Sequence, residues 1–290
     1  MPVVTADERT RAIELALSTA RQRAGWWRAP CPFCEGRDPT FSYNPATGYW
    51  HCFRCRERGS LEVPEFLIGA GPTPAEQQRE IEEAKRPPEG YYPLAGDDSH
   101  TFGPARDYLV RRGVREDVWA DAQVGACADG KYAGRIVVPN LQLDGSWLGY
   151  TTRSYDRSTP KKFAYRYPGG SWRGSALWNV RALHEQTDEP LYLVEGVLKG
   201  LPYWPHAIAH LGNSGPSAVT PDQFRLLLAA RRPLVVVLDG DAHEQGWALA
   251  MRLRLEGKIA GAVRLPPGTD PDEVDAAWLY EEARASLGSL

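Results

Sequence analysis

Short apolar runs followed by helical patterns repeat through the last hundred residues of the chain. The runs are LYLV at 191–194, AIAHL at 207–211, LVVVL at 234–238 and AVRL at 262–265. None alternates with polar residues, which is typical of strands buried on both faces of a parallel sheet covered by helices. The pattern predicts a parallel α/β subdomain, with one helix opened by Thr220-Pro221-Asp222.

The middle of the chain has a different pattern. A short helix, RDYLVRRG, precedes two strand-like runs, RIVVPNLQL and SWLGYTTRSY, and the turn signal Asp144-Gly145 separates the runs. These features predict a β-hairpin within an α+β subdomain.

The N-terminal pattern predicts an amphipathic helix over residues 5–24 that ends at Gly25. Thr5 is the expected N-cap and Glu8 completes a capping box, while Ile13, Leu17 and Ala20 share a face. Further along, AGPTPAEQQREIEEAKRPPEGYYP carries prolines at both ends of a highly charged stretch, which is typical of a linker.

Composition narrows the class of protein. The chain has 290 residues, of which 42% are hydrophobic, so a disordered or collagen-like protein is excluded. No window of about 18 apolar residues occurs, and the N-terminus carries acids where a secretory signal needs basic residues. We therefore expect a soluble, cytoplasmic protein without a membrane partner, whose five cysteines are thiols or metal ligands.

Charge is segregated along the chain although the net charge is only −3. Residues 101–181 contain 13 Lys and Arg against 7 Asp and Glu, a balance of +6, whereas residues 182–290 contain 9 against 15, a balance of −6. A basic centre followed by an acidic end suits a protein that holds a polyanion in one part and divalent cations in the other. Chance clustering is the alternative.

Four of the cysteines form two C-x2-C pairs, Cys31 with Cys34 and Cys52 with Cys55, separated by 17 residues. This spacing is that of a ribbon offering four thiolates to one tetrahedral Zn²⁺. Because all four ligands are present, we expect a structural zinc rather than a catalytic one. The spacing favours zinc over a redox dithiol, and Cys127, which has no partner motif, is expected to be a buried apolar residue.

Aromatic and basic residues surround the second cysteine pair. Aromatic rings interleaved with arginines can stack on unpaired bases and bind phosphates, so Arg54 and Arg56 are candidate DNA contacts. The alternative for the rings is that Phe33, Phe41 and Phe53 form the small core that a ribbon needs.

Carboxylates follow three of the predicted strands. Glu195 follows LYLV, Asp239 and Asp241 follow LVVVL, and Asp270 and Asp272 come shortly after AVRL. The carboxyl ends of parallel strands meet at one edge of a sheet, where ligands bind. Five carboxylates there would repel one another unless divalent cations neutralised them. Each cluster alone could be a turn or a helix cap.

These motifs resemble the toprim fold shared by DnaG-type primases, topoisomerases and some nucleases. The elements CPFC, FSYN, WHCFRC and EFLIG are similar to the primase zinc domain, although Cys34 stands where many bacterial members have His. The elements ARDYLVRRGV, TPKKFAY and Trp172-Arg173-Gly174 resemble the basic half of the primase core, in the family's order.

The resemblance implies an α/β multi-domain protein. We expect a zinc ribbon with an N-terminal helix over 1–69, a linker over 70–100, a basic primase-core subdomain over 101–181 and a toprim subdomain over 182–290.

The resemblance also implies a primase that copies single-stranded DNA into a short RNA primer from nucleoside triphosphates. Glu195, Asp239 and Asp241 would be the catalytic Mg²⁺ or Mn²⁺ ligands, with Asp270 and Asp272 helping to hold a second ion. The residues expected to bind nucleotide or template are Arg135, Arg153, Lys161, Lys162, Arg173 and Lys199. A solvated basic face is the alternative for this last set.

Two departures from the family pattern matter. Lys199 replaces the final Asp of the family's EG-x-x-D, which removes a ligand and adds a cation. The chain also stops one helix beyond DPDEV, without helicase-docking helices, so we expect a phage or plasmid setting with a separate replicative helicase. The competing functions are a toprim nuclease and a non-catalytic protein that binds single-stranded DNA.

Overall fold

The structure is a computed structural model that forms two compact units, Met1–Arg79 and Glu80–Leu290. It describes residues 6–18, 20–23, 26–34, 38–44, 47–61, 74–96, 100–169, 172–211 and 218–288. The α-helices are α1 (Ala6–Ser18), α2 (Pro74–Ala84), α3 (Gly103–Arg111), α4 (Glu116–Asp121), α5 (Lys161–Ala164), α6 (Val197–Gly200), α7 (Pro221–Leu228), α8 (His243–Leu255) and α9 (Ala276–Gly288). The strands are β1 (Arg21–Arg23), β2 (Trp26–Ala29), β3 (Phe41–Tyr43), β4 (Tyr49–Cys52), β5 (Arg58–Ser60), β6 (Tyr91–Pro93), β7 (Gly125–Cys127), β8 (Arg135–Leu141), β9 (Trp147–Ser154), β10 (Tyr165–Arg166), β11 (Leu191–Val194), β12 (Ala207–Ala209), β13 (Leu234–Val236) and β14 (Ala260–Ala262).

The first unit is an antiparallel sheet in the order β1-β2-β3-β4-β5, with α1 against one face. Its core holds Phe41, Tyr43 and Trp50 together with Ile13 and Leu17 of the helix. The zinc ribbon predicted for this part of the chain is confirmed in its fold class.

The helix predicted over residues 5–24 is wrong in its C-terminal third. Helix α1 ends at Ser18, and Arg21–Arg23 form β1, which pairs with Trp26–Arg28 of β2. Two residues of the predicted apolar face, Ile13 and Leu17, are buried on α1. The third, Ala20, lies beyond the end of the helix and is partly buried, because pairing with β2 overrides the helical pattern there. The predicted N-cap Thr5 and the predicted end at Gly25 lie outside the described residues.

The second unit contains an antiparallel sheet in the order β10-β9-β8-β7-β6. The predicted hairpin is confirmed as β8 and β9, joined at a turn in which Gly145 has a φ of +85° and Asp144 accepts a hydrogen bond from the backbone N–H of Ser146. Strand β6 pairs with β7, so the antiparallel sheet begins within the stretch expected to be a linker.

The other sheet of this unit is parallel, in the order β12-β11-β13-β14. Its strands are buried on both faces, as the uninterrupted apolar runs predict. Leu191 and Leu193 contribute to a core shared with α7 and α8, whereas Tyr192 and Val194 contribute to a core shared with the antiparallel sheet. The predicted parallel α/β architecture is therefore confirmed.

Helix α7 begins as its sequence predicts, with Thr220 as the N-cap. The Thr220 hydroxyl accepts a hydrogen bond from the backbone N–H of Gln223, and the Gln223 side chain accepts one from the backbone N–H of Thr220. Among the described parts of the chain, no helix has the length and apolar composition needed to cross a bilayer.

Candidate functional site

The four cysteines of the two C-x2-C pairs form one cluster, in which all sulfur atoms lie within 4.8 Å of one another. The Sγ atoms of Cys31 and Cys55 are 3.8 Å apart, and those of Cys34 and Cys52 are 3.9 Å apart. A tetrahedral ion with Zn–S bonds of about 2.3 Å keeps its sulfurs about 3.8 Å apart. The cluster therefore fits one tetrahedral zinc ion.

Backbone groups of the two turns stabilise the thiolates. The N–H of Phe33 donates to Cys31 Sγ at 3.4 Å, and the N–H of Arg54 donates to Cys52 Sγ at 3.3 Å. Burial alone would raise the pKa of Cys52, but backbone N–H groups and the Thr40 hydroxyl lower it to about 6. Burial raises the pKa of Cys31 and of Cys55, so without a metal the turns favour the deprotonated sulfur at Cys52.

The aromatic residues of the ribbon divide between a core and an exposed face. Phe41 is fully buried and Phe33 packs on Trp50, so these rings belong to the core. Phe53 is 59% exposed, and its ring lies 4.2 Å from that of His51 and 5.0 Å from the Arg28 guanidinium.

Cross-strand pairing places further side chains on this exposed face. Arg28 pairs with Ser42, Ser42 with His51, and His51 with Arg58, and Tyr49 stacks on His51 at 5.8 Å. We call Arg28, Tyr49, His51, Phe53 and Arg58 the ribbon face. Arg54 and Arg56, the predicted DNA contacts, are exposed in the loop after β4.

Glu195 and Asp239 lie at the carboxyl edge of the parallel sheet because their strands are neighbours in register. Leu193 of β11 pairs with Val236 of β13, and each carboxylate follows within three residues. This arrangement is the one that the strand pattern predicts.

A glycine brings a third carboxylate to this edge. A Cβ on Gly240 would lie 2.0 Å from the carbonyl oxygen of Pro266, so only glycine permits this approach. The Gly240 N–H donates to the Thr269 carbonyl at 3.0 Å, and Asp270 follows directly. Asp270 also caps the 3-10 turn Pro271–Glu273, as its alternative interpretation predicts.

Lys199 lies among these carboxylates. It is four residues after Glu195, on α6, and its Nζ contacts both oxygens of Asp239, with Oδ2 at 2.5 Å. The same Nζ is 3.2 Å from Asp270 Oδ1 and 3.9 Å from Glu195 Oε2. Lys199 was expected to bind nucleotide or template. In the structure its ammonium instead contacts carboxylates of the chain itself.

The charges at this edge shift the ionisation of its members. Burial, followed by the negative charge of Asp239, raises the pKa of Glu195 to about 7, against the opposing effect of Lys199. Burial alone would lower the pKa of Lys199, but its hydrogen bond to Asp239 and the nearby carboxylates raise it. Lys199 is therefore an ammonium at neutral pH. Asp241 is exposed and adds to the rise at Glu195.

Asp272 differs from the other four carboxylates because it forms an ion pair with Arg112. Its side chain is only 3% exposed, and burial raises its pKa while Arg112 opposes that rise. Arg112 follows α3, so the pair joins the basic half of the second unit to the loop that carries Asp270. Asp272 therefore binds Arg112, whereas Lys199 contacts Glu195, Asp239 and Asp270.

The donor chemistry at the sheet edge fits magnesium, which prefers carboxylate oxygens. Within the described ranges, however, the four cysteines are the one group of three or more His, Cys, Asp or Glu ligands close enough to share an ion. The carboxylates surround the Lys199 ammonium instead. The carboxylates present can offer ligands to a divalent cation, but in the described residues they do not enclose an ion.

A basic pocket of about 360 Å³ lies beside the Arg112–Asp272 pair. Arg111, Arg112, Arg153 and Arg157 line it together with the carboxylates of Asp156, Asp272 and Glu273, so the arginines outnumber the acids by one. Arg153 donates from Nε to the Tyr108 hydroxyl at 3.0 Å and lies over the Tyr165 ring at 4.6 Å, which holds its guanidinium in place. Four guanidinium groups around one cavity provide the planar donors that bind phosphate oxygens.

The other predicted basic residues have different surroundings. Arg135 is buried and donates to the carbonyls of Phe163 and Ala164, so it anchors α5 rather than facing a nucleotide. Lys161 is exposed at the first position of α5, and Arg173 lies 3.9 Å from the centre of the Tyr167 ring. The side chain of Lys162 lies outside the described residues.

The sequence of the chain is similar to that of known DNA primases. Residues 12–69 match the family model described as the CHC2 zinc finger. The DNA primase of Lactococcus lactis subsp. lactis (strain IL1403) is 22% identical over 305 residues, covering 84% of this chain and 48% of its own length. The DNA primase of Escherichia coli (strain K12) is 23% identical over 322 residues, covering 85% and 54%. The chain spans about half the length of these relatives. The chain is similar to DnaG-type DNA primases over most of its own length.

Solved primase structures share the fold. The zinc-binding and RNA polymerase domains of the Aquifex aeolicus primase match 98% of this chain and 84% of their own, with a TM-score of 0.53 at 19% identity. The DnaG primase catalytic domain bound to single-stranded DNA matches 74% of this chain and 80% of its own, with a TM-score of 0.55 at 20% identity.

Sequence reasoning missed three of the four arginines that line the pocket. Arg111 ends α3, Arg112 directly follows it, and Arg157 lies in the turn before TPKK. Their clustering in RDYLVRRG and YDRSTPKK was a visible signal, but only the fold brings the two segments together.

His210, which follows β12, makes the stability of the second unit depend on pH. Burial lowers its pKa to about 4, so the folded protein keeps it neutral while the unfolded chain binds a proton below about 6.5. Stability should therefore fall as pH decreases from 6.5 to 4, by about 3 kcal/mol from this residue. Urea unfolding at several pH values should show a smaller decrease for His210→Gln than for wild type. The exposed His184→Gln should behave as wild type does, and equal pH dependence in all three proteins would contradict the assignment.

Proposed function

We propose that the chain is a template-dependent primase that synthesises short RNA primers on single-stranded DNA. One observation carries the proposal: the carboxylate edge and the four-arginine pocket lie in one unit and are joined by the Arg112–Asp272 pair. Nucleotidyl transfer needs such a combination, because phosphates must be held beside groups that bind a divalent cation.

The carboxylates supply the ligands for that cation. Glu195, Asp239 and Asp241 would hold Mg²⁺ or Mn²⁺, with Asp270 beside them. When bound, the cation lowers the pKa of a primer 3′-hydroxyl and neutralises charge on the reacting phosphate. The chain's own contribution is to fix these carboxylates at the ends of β11 and β13 and to hold the nucleotide's phosphates in the adjacent pocket.

The zinc ribbon supplies a surface for the template. The ribbon face presents Phe53 and Tyr49 with Arg28 and Arg58, a combination of stacking rings and cations that suits unpaired bases and their phosphates. Arg54 and Arg56 extend this surface in the proposal. The single-stranded DNA in the structure of the related catalytic domain is consistent with such a template. A phage or plasmid setting and a separate helicase stay predictions.

Removing one pocket arginine should weaken nucleotide binding. Arg153→Ala deletes a guanidinium that is already held by Tyr108, so we expect the dissociation constant for a nucleoside triphosphate to rise about tenfold, or ~1.4 kcal/mol. Fluorescence anisotropy with a labelled nucleotide measures this change. Arg225→Ala, on an exposed ion pair with Asp222, is the matched control and should bind as wild type does. Unchanged affinity in Arg153→Ala would place the phosphates elsewhere.

The proposed activity is distinguished from its alternatives by one incubation. Single-stranded DNA, Mg²⁺ and four ribonucleoside triphosphates should yield new oligonucleotides of a few nucleotides. Shortened DNA would instead indicate a toprim nuclease, and retained DNA without any product would indicate a non-catalytic binding protein. Either of these two results would overturn the proposal.

A further inference from the structure

Lys199 holds a position at the sheet edge that a metal ion would be expected to hold. Its Nζ contacts Asp239, Asp270 and Glu195, which come from three separate segments of the chain. Its side chain is only 13% exposed, so these contacts replace water around the ammonium. A lysine on a solvated face would instead extend into solvent and contact no such set of carboxylates.

The contacts limit how many cations the edge can bind. Mg²⁺ requires carboxylate oxygens at about 2.0–2.1 Å, and an ion on Asp239 would lie beside the ammonium that contacts both of its oxygens. In the part of the chain that the structure describes, the carboxylates form no group that encloses an ion, whereas the four cysteines do.

The summed charge of the side chains at the sheet edge also limits the number of divalent cations that can bind there. Glu195, Asp239, Asp241 and Asp270 carry four negative charges when ionised, and Lys199 carries one positive charge. One divalent cation brings the sum from −3 to −1. A second would bring it to +1, in a site where three cations repel one another over a few ångströms.

We propose that the Lys199 ammonium takes the place of one of the two divalent cations, so that the carboxylate edge binds a single Mg²⁺. This inference rests on the proposed function, because it names the cation content of the same site. Lys199 thus acts as a cation tethered to α6 that cannot dissociate, and it keeps Asp239 neutralised before substrate arrives. The two ions predicted from the resemblance are replaced by one ion and one ammonium.

Direct counting of bound Mn²⁺ tests this inference without an activity assay. Zinc-loaded full chain is titrated with Mn²⁺ alone, and the free ion is followed by electron paramagnetic resonance. We expect one Mn²⁺ per wild-type chain. Lys199→Asp changes the local charge by two units, the charge of one divalent cation, and should bind two Mn²⁺ or bind the first at least tenfold more tightly.

Three further variants separate charge from loss of fold. Lys199→Arg keeps the positive charge and should bind one Mn²⁺ as wild type does, whereas Lys199→Met removes the charge and should bind the first ion more tightly. Lys85→Asp, at an exposed residue that directly follows α2, makes the same charge change away from the site and should leave binding unchanged. Circular dichroism verifies that each variant is folded.

Two ions in wild type, or the same number and affinity in wild type, Lys199→Asp and Lys199→Met, would overturn the inference. The proposed function fails separately. Primer synthesis by a wild type that binds two Mn²⁺ would retain the function and reject the ammonium's role. A wild type that binds one Mn²⁺ but synthesises no primer would retain the ammonium's role and reject the proposed function.

Discussion

Asp239→Asn should lower primer synthesis by at least ~10³-fold, equivalent to about 4 kcal/mol of transition-state stabilisation. Asn keeps the shape of the side chain but removes the charge that Lys199 contacts and that would bind the proposed divalent cation. Binding of single-stranded DNA should stay within about twofold of wild type, because phosphate contacts made by basic groups dominate such binding. Primer yield and DNA anisotropy, measured on the same preparation, provide the two readings.

Two companion variants make this result interpretable. Glu195→Gln, just after the neighbouring strand, should cause a loss of similar size, since it removes another half-buried carboxylate at the sheet edge. Asp222→Asn neutralises an exposed carboxylate on α7 and should synthesise primers at the wild-type rate. Equal activity of wild type and Asp239→Asn at saturating Mg²⁺ would eliminate the catalytic role and favour a non-catalytic binding protein.

Loss of zinc should unfold the first unit. Structural zinc sites in small domains contribute roughly 10 kcal/mol or more to folding, and the described part of this unit has a small core around Phe41, Tyr43 and Trp50. Cys52→Ser should therefore purify without stoichiometric zinc and lose the near-ultraviolet circular dichroism of Trp50. Elemental analysis and spectra of wild type, treated and untreated with a chelator, measure both effects.

Cys127→Ala is the matched control for this experiment. Cys127 lies in a separate core of the second unit, with Tyr132 and Tyr150. The Cys127→Ala variant should therefore still bind one zinc per chain. A Cys52→Ser protein that still bound one zinc and kept the Trp50 signal would contradict the assignment of the four cysteines.

Local patterns predicted much of the fold because local physics determines those elements. The Thr220 capping box, the turn at Gly145 and the runs of β11 and β13 each depend on neighbouring residues or on burial of both strand faces. The two C-x2-C pairs predicted the cysteine cluster for the same reason, since the ligands' spacing is set within two short turns. The C-terminal end of α1 was mispredicted because pairing between β1 and β2 decides it.

The detailed site depends on contacts distant in sequence, which no local pattern encodes. Spacing alone places Lys199 one turn after Glu195, but its contacts with Asp239 and Asp270 join residues 40 and 71 positions apart. Arg112 and Asp272 are still further separated along the chain. Arg135 has the charge expected of a phosphate ligand, yet its burial commits it to the carbonyls of α5.

The sequence of the product tests the proposed function most directly. A single-stranded template of defined sequence is incubated with Mg²⁺ and four ribonucleoside triphosphates, and the products are sequenced by mass spectrometry. A primase should yield short RNA complementary to the template, whose sequence changes when the template changes and which disappears in Asp239→Asn. Products unrelated to the template, cleaved DNA, or equal yields from wild type and Asp239→Asn would contradict it.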